Sequence, residues 1–590
     1  MFLITTAEQR FWKTDEPVLF LGEWCKLYSH RDLWENLDYE VLPYHWDDRK
    51  KLYRDYLYLD TLYEETLQQM TILLNRIHRV DHSVRYWRII IGPWLSYFIA
   101  VLYDRYQSIL TAIESKKVTN TLIYNHEPGE WLPHNFSEFG KWAENDDGYN
   151  HYLYDRIIEY TNKLSLSVLE RDTIFANSAG IVKQKTLPNK ITGFSRLIFQ
   201  FSRFISNHWN KIIFVESSLN KWDLVRLCLL LGQFPHLYVR DELIPKPEID
   251  FNLRKLFTHI PAGGEFEKLL IKMIIEQIPS IYIEGYDNMK SISLKAFPRH
   301  PKIIFTSTSF NTYDVFKFWA AHHVDLDVKL VGTQHGGHYG TGLWSSSEEH
   351  QLKIYDKFYT WGWEKDGYEN TTPLSIAKFN QIKRRARPKR GGRLLMMLGS
   401  LPRYSYYMYS VYVASTGFLA YVDEQYRFVG ALSEKNIKLL TIRFIMHNYG
   451  LCLKERWLDN FPGIKLCVGK KSLINRLNET KLVICTYNAT TYLETFTANI
   501  PTVLFWNPKH WELRPSAKPF FDKLSKAGIL HYTPESAAAK VNEISDDPIS
   551  WWQQTEIQAA KDEFCFQFAR TSNKWLREWK TELLKMSNMS

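Results

Sequence analysis

Short apolar runs alternating with helical patterns constrain this chain more than any other feature, and the stretch from Lys481 to Pro508 shows the unit most plainly. Lys481 to Cys485 is a short apolar strand. Thr486 to Thr491 is rich in hydroxyls and amides, the residue types that cap helix N-termini. Glu494 sits on the first turn or two of the helix that follows, Ile500-Pro501 ends it, and Thr502 to Trp506 is the next buried strand. A helix N-terminus aimed out of a parallel sheet attracts anions. Thr486, Asn488, Thr490, Thr491 and Glu494 are therefore candidate ligand contacts. Late in an α/β chain, such a unit suggests a nucleotide-sugar site. An ordinary strand–helix–strand crossover reads the same way.

Further strands are expected at Pro17 to Gly22, Thr121 to Tyr124, Lys211 to Val215, Lys302 to Phe305, Val328 to Gly332 and Lys357 to Trp361. Helical patterns lie between several of them, as at Trp222 to Leu231 and Phe266 to Glu276, which argues a mainly parallel sheet. Residues 48 to 82 place Leu52, Tyr56, Leu59, Leu62 and Leu67 at helical spacing. Residues 85 to 115 read as further helix, broken at Gly92-Pro93. Lys378 to Arg393 holds eight basic residues and no acidic one, a linker composition. A second α/β unit follows, and Ile557 to Leu584 is one amphipathic pattern.

The expected layout has four parts. Residues 1–377 form an acceptor-binding α/β domain with helical insertions, and 378–393 are a basic linker. Residues 394–556 form a Rossmann-like nucleotide-sugar domain, and 557–590 a C-terminal helix packing back on the first domain. The fold class is α/β and GT-B-like, two Rossmann-like domains facing a central cleft.

Composition narrows the function classes. Aromatics reach 15%, suited to clefts that stack sugar rings and equally to aromatic cores. Six scattered Cys without a CxxC pair argue against a zinc cluster or a disulfide framework and fit a reducing cytoplasm. Met1 to Thr14 is polar and mixed, unlike a signal peptide. No apolar run is long enough to span a membrane. The net charge of +9 permits weak attraction to anionic lipid. No nucleic-acid motif accompanies the basic run, so nucleic acid is not an expected partner.

Several motifs carry candidate chemistry. Gly332 to Gly340 (Gly-Thr-Gln-His-Gly-Gly-His-Tyr-Gly) follows a strand, and its glycines admit close approach of a ligand. His335 there is a candidate general base, with Gln334, Gly336 and Gly337 as acceptor or phosphate contacts. A Gly-rich turn with a structural His is the plainer reading. Thr306, Ser307, Thr308 and Ser309 follow another strand and offer hydroxyls to a phosphate, or cap a helix. Near the N-terminus, Glu23, His45 and Asp47 are candidate catalytic groups on the acceptor side. Asp48 reads better as a helix cap. Arg85 and Arg88 suit a substrate carboxylate or a solvated helix face. In the second unit, Arg443, His447, Asn507 and His510 follow strands and suit a nucleotide phosphate.

Phe20 to Cys25, Pro43 to Arg49, Tyr86 to Trp94, Thr333 to Gly337 and Tyr487 to Glu494 together resemble a family of bacterial transferases encoded in O-antigen and capsule clusters. Some of its members are assigned as transferases of nonulosonic acids, chiefly pseudaminic acid, from CMP-activated donors. The resemblance covers nearly the whole chain. A more distant likeness, through the Gln-His-Gly loop and the late Glu helix, is to capsule Kdo transferases and polyglycerophosphate polymerases.

The resemblance implies a glycosyltransferase acting on a CMP-sugar and a surface-polysaccharide acceptor, lipid-linked at the inner membrane. The cysteine usage fits a cytoplasmic protein, and the net charge of +9 with the basic run at 378–393 suggests weak peripheral contact with that membrane. A CMP donor carries one phosphate, so no cofactor and no diphosphate-bound metal is expected. Glu494 would hold the ribose hydroxyls. Arg443, His447, His510 or the helix N-terminus at Thr490 would meet the leaving phosphate. The acceptor's base would be His335, with Glu23 close behind. Two rivals stand: a CDP-glycerol or polyol-phosphate transferase, and a non-catalytic scaffold of the polysaccharide machinery.

Overall fold

The computed structural model describes residues 1–169, 202, 204–238, 240, 244–405, 408–444, 449–468 and 472–588. They build three parallel sheets. The first holds β1 (Phe2–Ile4), β2 (Val18–Phe20), β3 (Tyr39–Val41), β4 (Asn120–Tyr124) and β5 (Ser165–Leu169), in the order β3-β2-β1-β4-β5. The second holds β6 (Ile212–Val215), β7 (Ile303–Thr306), β8 (Lys329–Thr333), β9 (Lys357–Thr360) and β10 (Thr371–Pro373), side by side in chain order. The third holds β11 (Arg393–Met397), β12 (Leu440–Phe444), β13 (Lys465–Val468), β14 (Thr480–Cys485), β15 (Thr502–Phe505) and β16 (Leu530–His531). Its order is β13-β12-β11-β14-β15-β16.

The first and third sheets thus wind in the strand order of a Rossmann unit, with switch points between β1 and β4 and between β11 and β14. The fold is α/β and GT-B-like, as expected. Residues 1–377, read above as an α/β domain with helical insertions, carry the first two sheets. The helix Val84–Glu114 lies between them and packs on Arg49–His78, Asp147–Thr161, Asp314–Val324 and Ser346–Ile354. This helix runs unbroken through Gly92-Pro93. Gly92 lets it press against the Tyr63 hydroxyl and the His350 ring, where a Cβ would sit 2.8–2.9 Å from both. Burial on two sides offsets the backbone bond that Pro93 removes.

The N-terminus, read as merely polar, begins with β1, the central strand of the first sheet; its three residues are too few to show a period. The basic run opens with the helix Ala377–Arg385, whose Ala377, Phe379 and Ile382 are buried while Lys383, Arg384 and Arg385 are exposed. The terminal segment is two helices, Thr555–Phe568 and Trp575–Asn588, rather than one. The first stays on the third sheet, setting Phe564 against Tyr492 and Phe521. The second crosses back and lays Trp579 against Phe305 and Tyr359 of the second sheet. It covers an apolar face made by Ile212, Phe214, Ile303 and Val331.

Candidate active site

The Gly-rich loop after β8 and the loop after β14, far apart in sequence, meet in space. Gly337 N–H donates to Thr490 Oγ1 at 3.0 Å. A Cβ on Gly337 would lie 2.6–2.8 Å from the backbone of Ala489 and Thr490, so only glycine permits this contact. Asn488 Nδ2 donates to Thr341 Oγ1 at 3.3 Å, and Asn488 Oδ1 accepts from Tyr492 at 2.9 Å. The helix Thr490–Thr497 has no side-chain cap, and its first amide nitrogen, Thr490 N, packs against Gly337 of the Gly-rich loop. Thr491 bonds the Tyr487 hydroxyl at 2.6 Å.

Further contacts lock this loop. Gly342 bridges Leu513, and Ser345 bridges Tyr409. Buried Glu348 accepts from Gly340 N at 2.9 Å and pairs with Arg514 at 2.7 Å and Lys365 at 3.3 Å. Burial alone would raise the Glu348 carboxyl; the two cations hold it below its ordinary value. His338 Nε2 lies 3.3 Å from Ser410 Oγ.

His335 is half-buried beside Phe310 and Tyr339. Its Nδ1 has no hydrogen-bond partner, and desolvation lowers its pKa to about 4. The imidazole is therefore neutral at pH 7 and can accept a proton. Burial likewise takes His510 to about 4, with Arg49 and Lys509 adding to the shift.

The third sheet's switch point lies beside this junction. Thr486 Oγ1 donates to Met397 O at 3.0 Å and lies 2.6 Å from the Tyr421 hydroxyl, which accepts from Gly399 N at 2.7 Å. Thr486 is thus a buried tie across the crevice. Arg443 stands at the end of the neighbouring strand, and its buried Nη1 has no hydrogen-bond partner among the described residues. Ser400 Oγ is in the same condition. A buried guanidinium nitrogen without a partner costs free energy unless an anion meets it. His447 lies outside the described residues.

Residues 1–583 match the family model described as LIC12162 family transferase. The chain belongs to that transferase family. No curated relative matches it. Solved structures that resemble it include MurG of Acinetobacter baumannii, at 11% identity over 64% of this chain and 99% of that one, with a TM-score of 0.31. WaaG, a glycosyltransferase involved in lipopolysaccharide biosynthesis, matches at 12% identity over 63% of this chain and 98% of its own, with a TM-score of 0.26. At such scores the likeness adds nothing to the site.

In this member of the LIC12162 family, several expected site residues serve the framework instead. Arg85 binds Asp356 at 2.8 Å and the Ile354 carbonyl at 2.6 Å, and Arg88 forks onto Glu64 at 2.6 Å, so neither is offered to a substrate. Ser309 N donates to Thr306 Oγ1 at 3.1 Å, which is the capping alternative. Ser307 bonds Ser218 at 2.7 Å, and Thr308 and Ser309 donate to Glu216 at 3.1 and 2.9 Å, so these hydroxyls cradle no phosphate. Gln334 is buried, its Oε1 accepting from Trp361 N at 2.9 Å and Trp363 Nε1 at 2.8 Å. Asn507 caps a short turn through Lys509 N at 3.1 Å and donates to Glu424 at 3.0 Å. Glu494 stands apart from these: it is buried on the helix Thr490–Thr497, and it pairs at 2.5 Å with Lys378 of the basic run, an exposed residue.

The N-terminal candidates join the two halves of the chain. Glu23 pairs with Lys26 at 3.1 Å, and its N–H donates to Ser415 Oγ at 3.0 Å. Asp47 accepts from Thr416 at 2.6 Å; burial raises its carboxyl, against that bond. His45 Nε2 lies 3.0 Å from buried Asp104, which also accepts from Tyr44 and Arg105. Asp48 caps the helix Arg49–His78 through Lys50 N and Lys51 N, as expected. Sequence reasoning passed over Gly399 and Tyr421. The signal for Gly399 was a glycine directly after an apolar strand.

Proposed function

We propose that this protein is a glycosyltransferase that moves a nonulosonic acid of the pseudaminic type from a CMP-sugar to a surface-polysaccharide acceptor. The observation that carries the reading is the Gly337–Thr490 contact, which joins the loop that carries neutral His335 to a helix N-terminus at the edge of a Rossmann switch point. The amides of that helix and Arg443 Nη1, which has no hydrogen-bond partner among the described residues, supply the charge that a single leaving phosphate needs. The sugar passes through an oxocarbenium-like state while His335 takes the acceptor's hydroxyl proton. No diphosphate is present, so transfer needs no metal bound to the donor.

Glu494 and Lys378 give the ribose subsite in this reading. The 2′- and 3′-hydroxyls donate to Glu494, and the Lys378 ammonium turns towards solvent or the phosphate when the donor arrives. The acceptor lies on the side of Glu23 and Asp47. Exposed Lys383, Arg384, Arg385, Arg387, Lys389 and Arg390 provide weak, salt-sensitive contact with an anionic inner leaflet, where a lipid-linked acceptor would sit. Among the described residues, no helix is long and apolar enough to cross a membrane.

Thermal shift with nucleotides tests the reading. Stabilisation by CMP in preference to CDP, UDP and GDP supports it, and preference for CDP moves the assignment to polyol-phosphate transfer.

A further inference from the structure

A cluster of metal-ligating side chains lies away from the Gly337–Thr490 junction, at the C-terminal end of β4. His126 follows that strand, while His151 and Asp155 stand one turn apart on the helix Asp147–Thr161 and so share a face. Their ligand atoms all lie within 4.8 Å of one another. Asp155 sits between the two imidazoles, with Oδ1 at 2.9 Å from His151 Nδ1 and Oδ2 at 3.2 Å from His126 Nε2. Tyr124 N donates to Oδ2 at 3.1 Å and fixes the carboxylate. His151 and Asp155 are each 1% exposed.

Hydrogen bonding accounts for only part of this arrangement: His126 Nε2 bonds Asp155 Oδ2 at 3.2 Å, but His151 is left out. Neither ring nitrogen of His151 has a hydrogen-bond partner, and neither does Asp155 Oδ1, although His151 Nδ1 and that oxygen are 2.9 Å apart. The contact is close but wrongly aligned for a shared proton. Buried polar atoms left so are uncommon and costly. Two ligands each about 2.1 Å from one ion, at angles between square and tetrahedral, stand about 3.0–3.4 Å apart. The observed 3.2 Å falls in that range and 2.9 Å just below it. Glu130 Oε2 lies 3.7 Å from His126 Nδ1, on the far side of the ring. A carboxylate there is the usual outer partner of a metal-bound imidazole, since it turns the other nitrogen's lone pair towards the ion.

We propose that His126, His151 and Asp155 hold a divalent ion of the zinc class, with Glu130 orienting His126. Two imidazoles and one carboxylate suit zinc and disfavour magnesium or calcium. The depth of the site makes the ion structural. It pins β4 to the helix whose first residue, Asp147, accepts from Arg403 at 2.7 Å and Tyr404 at 2.6 Å in the segment after β11. The ion thus stiffens an anchor between the first and third sheets, and it stands apart from the transfer chemistry.

Metal analysis of protein made without a polyhistidine tag, incubated with zinc and then dialysed, tests this. The expected content is about one zinc per chain, falling below about a tenth in His151→Gln and Asp155→Asn. Glu130→Gln, which leaves the three ligands in place, should weaken zinc about 10–100-fold. Cobalt added to metal-stripped protein should give visible ligand-field absorption that zinc abolishes. Wild-type protein that retains under about a tenth of an equivalent of zinc and shows no cobalt absorption overturns the proposal, leaving a hydrogen-bonded polar cluster.

Discussion

Gly336 and Gly337 are neighbours with opposite surroundings, and they make a sharp pair of substitutions. A Cβ at Gly336 meets nothing within 4 Å, whereas at Gly337 it comes within 2.6 Å of Ala489 C and 2.7 Å of Thr490 N. Neither glycine has a positive φ, so alanine strains neither backbone. The atoms in the way at Gly337 are main chain at a helix start and cannot swing aside. Overpacking of this kind costs about 1–3 kcal/mol. Pushing the loop off also forfeits the bond to Thr490, about 1 kcal/mol more. Gly337→Ala should therefore lose about 2–4 kcal/mol and melt about 2–3 °C lower, read by scanning calorimetry. Displacing His335 by about 1 Å should cut kcat/KM about 100-fold. Gly336→Ala should match wild type in both. If Gly337→Ala also matches wild type in both, the loop does not rest on the helix and the site is wrongly built.

Other perturbations separate chemistry from framework. His335→Ala should lower turnover about 10²–10⁴-fold with nucleotide binding kept; near-full turnover there, together with a dead Glu23→Gln, would move the base to Glu23. Burial holds His335 near 4, so the acid limb of the rate profile should fall near pH 4 rather than 6.5. The same shift, shared by His338 and His510, affects stability. Between about 6.5 and 4 the unfolded chain binds protons that the folded one refuses, so melting temperature should drop as pH falls through that window. Arg88→Ala should cost about 1–3 kcal/mol of stability through its charged bonds to Glu64, with KM for the acceptor unchanged; a KM effect without a melting shift would restore the substrate role. Turnover should persist when excess EDTA is added to the assay, and loss restored by Mg²⁺ or Mn²⁺ would contradict the single-phosphate donor. Flotation on anionic vesicles should be seen at low salt and lost at high salt.

Much of the fold was legible because parallel strands are buried on both faces and read as apolar runs. Lys302 to Phe305 and Thr502 to Trp506 announced β7 and β15 in that way. Strands of three residues, such as Phe2–Ile4 and Tyr39–Val41, are too short to show a period. The helix at 85–115 was read, but its continuity through Gly92-Pro93 was not, because the packing that sustains it comes from Tyr63 and His350 on other elements. The site was half legible for the same reason. Residue types and strand ends marked both the Gly-rich loop and the Thr490 helix. Which hydroxyls and cations stay free depends on partners such as Glu216 and Glu64, and sequence does not show who pairs with whom. The His126–Asp155 cluster escaped notice because its members lie on two elements.

The central claim is transfer from a CMP-sugar, and the release of CMP tests it most directly. Wild-type protein incubated with a CMP-nonulosonic acid and acceptor glycan should liberate CMP and add one sugar mass to the glycan, read by mass spectrometry. His335→Ala should do so far more slowly, and CDP-glycerol should be left untouched. Intact CMP-sugar after prolonged incubation, alongside consumption of CDP-glycerol or a nucleoside-diphosphate sugar, would contradict the account.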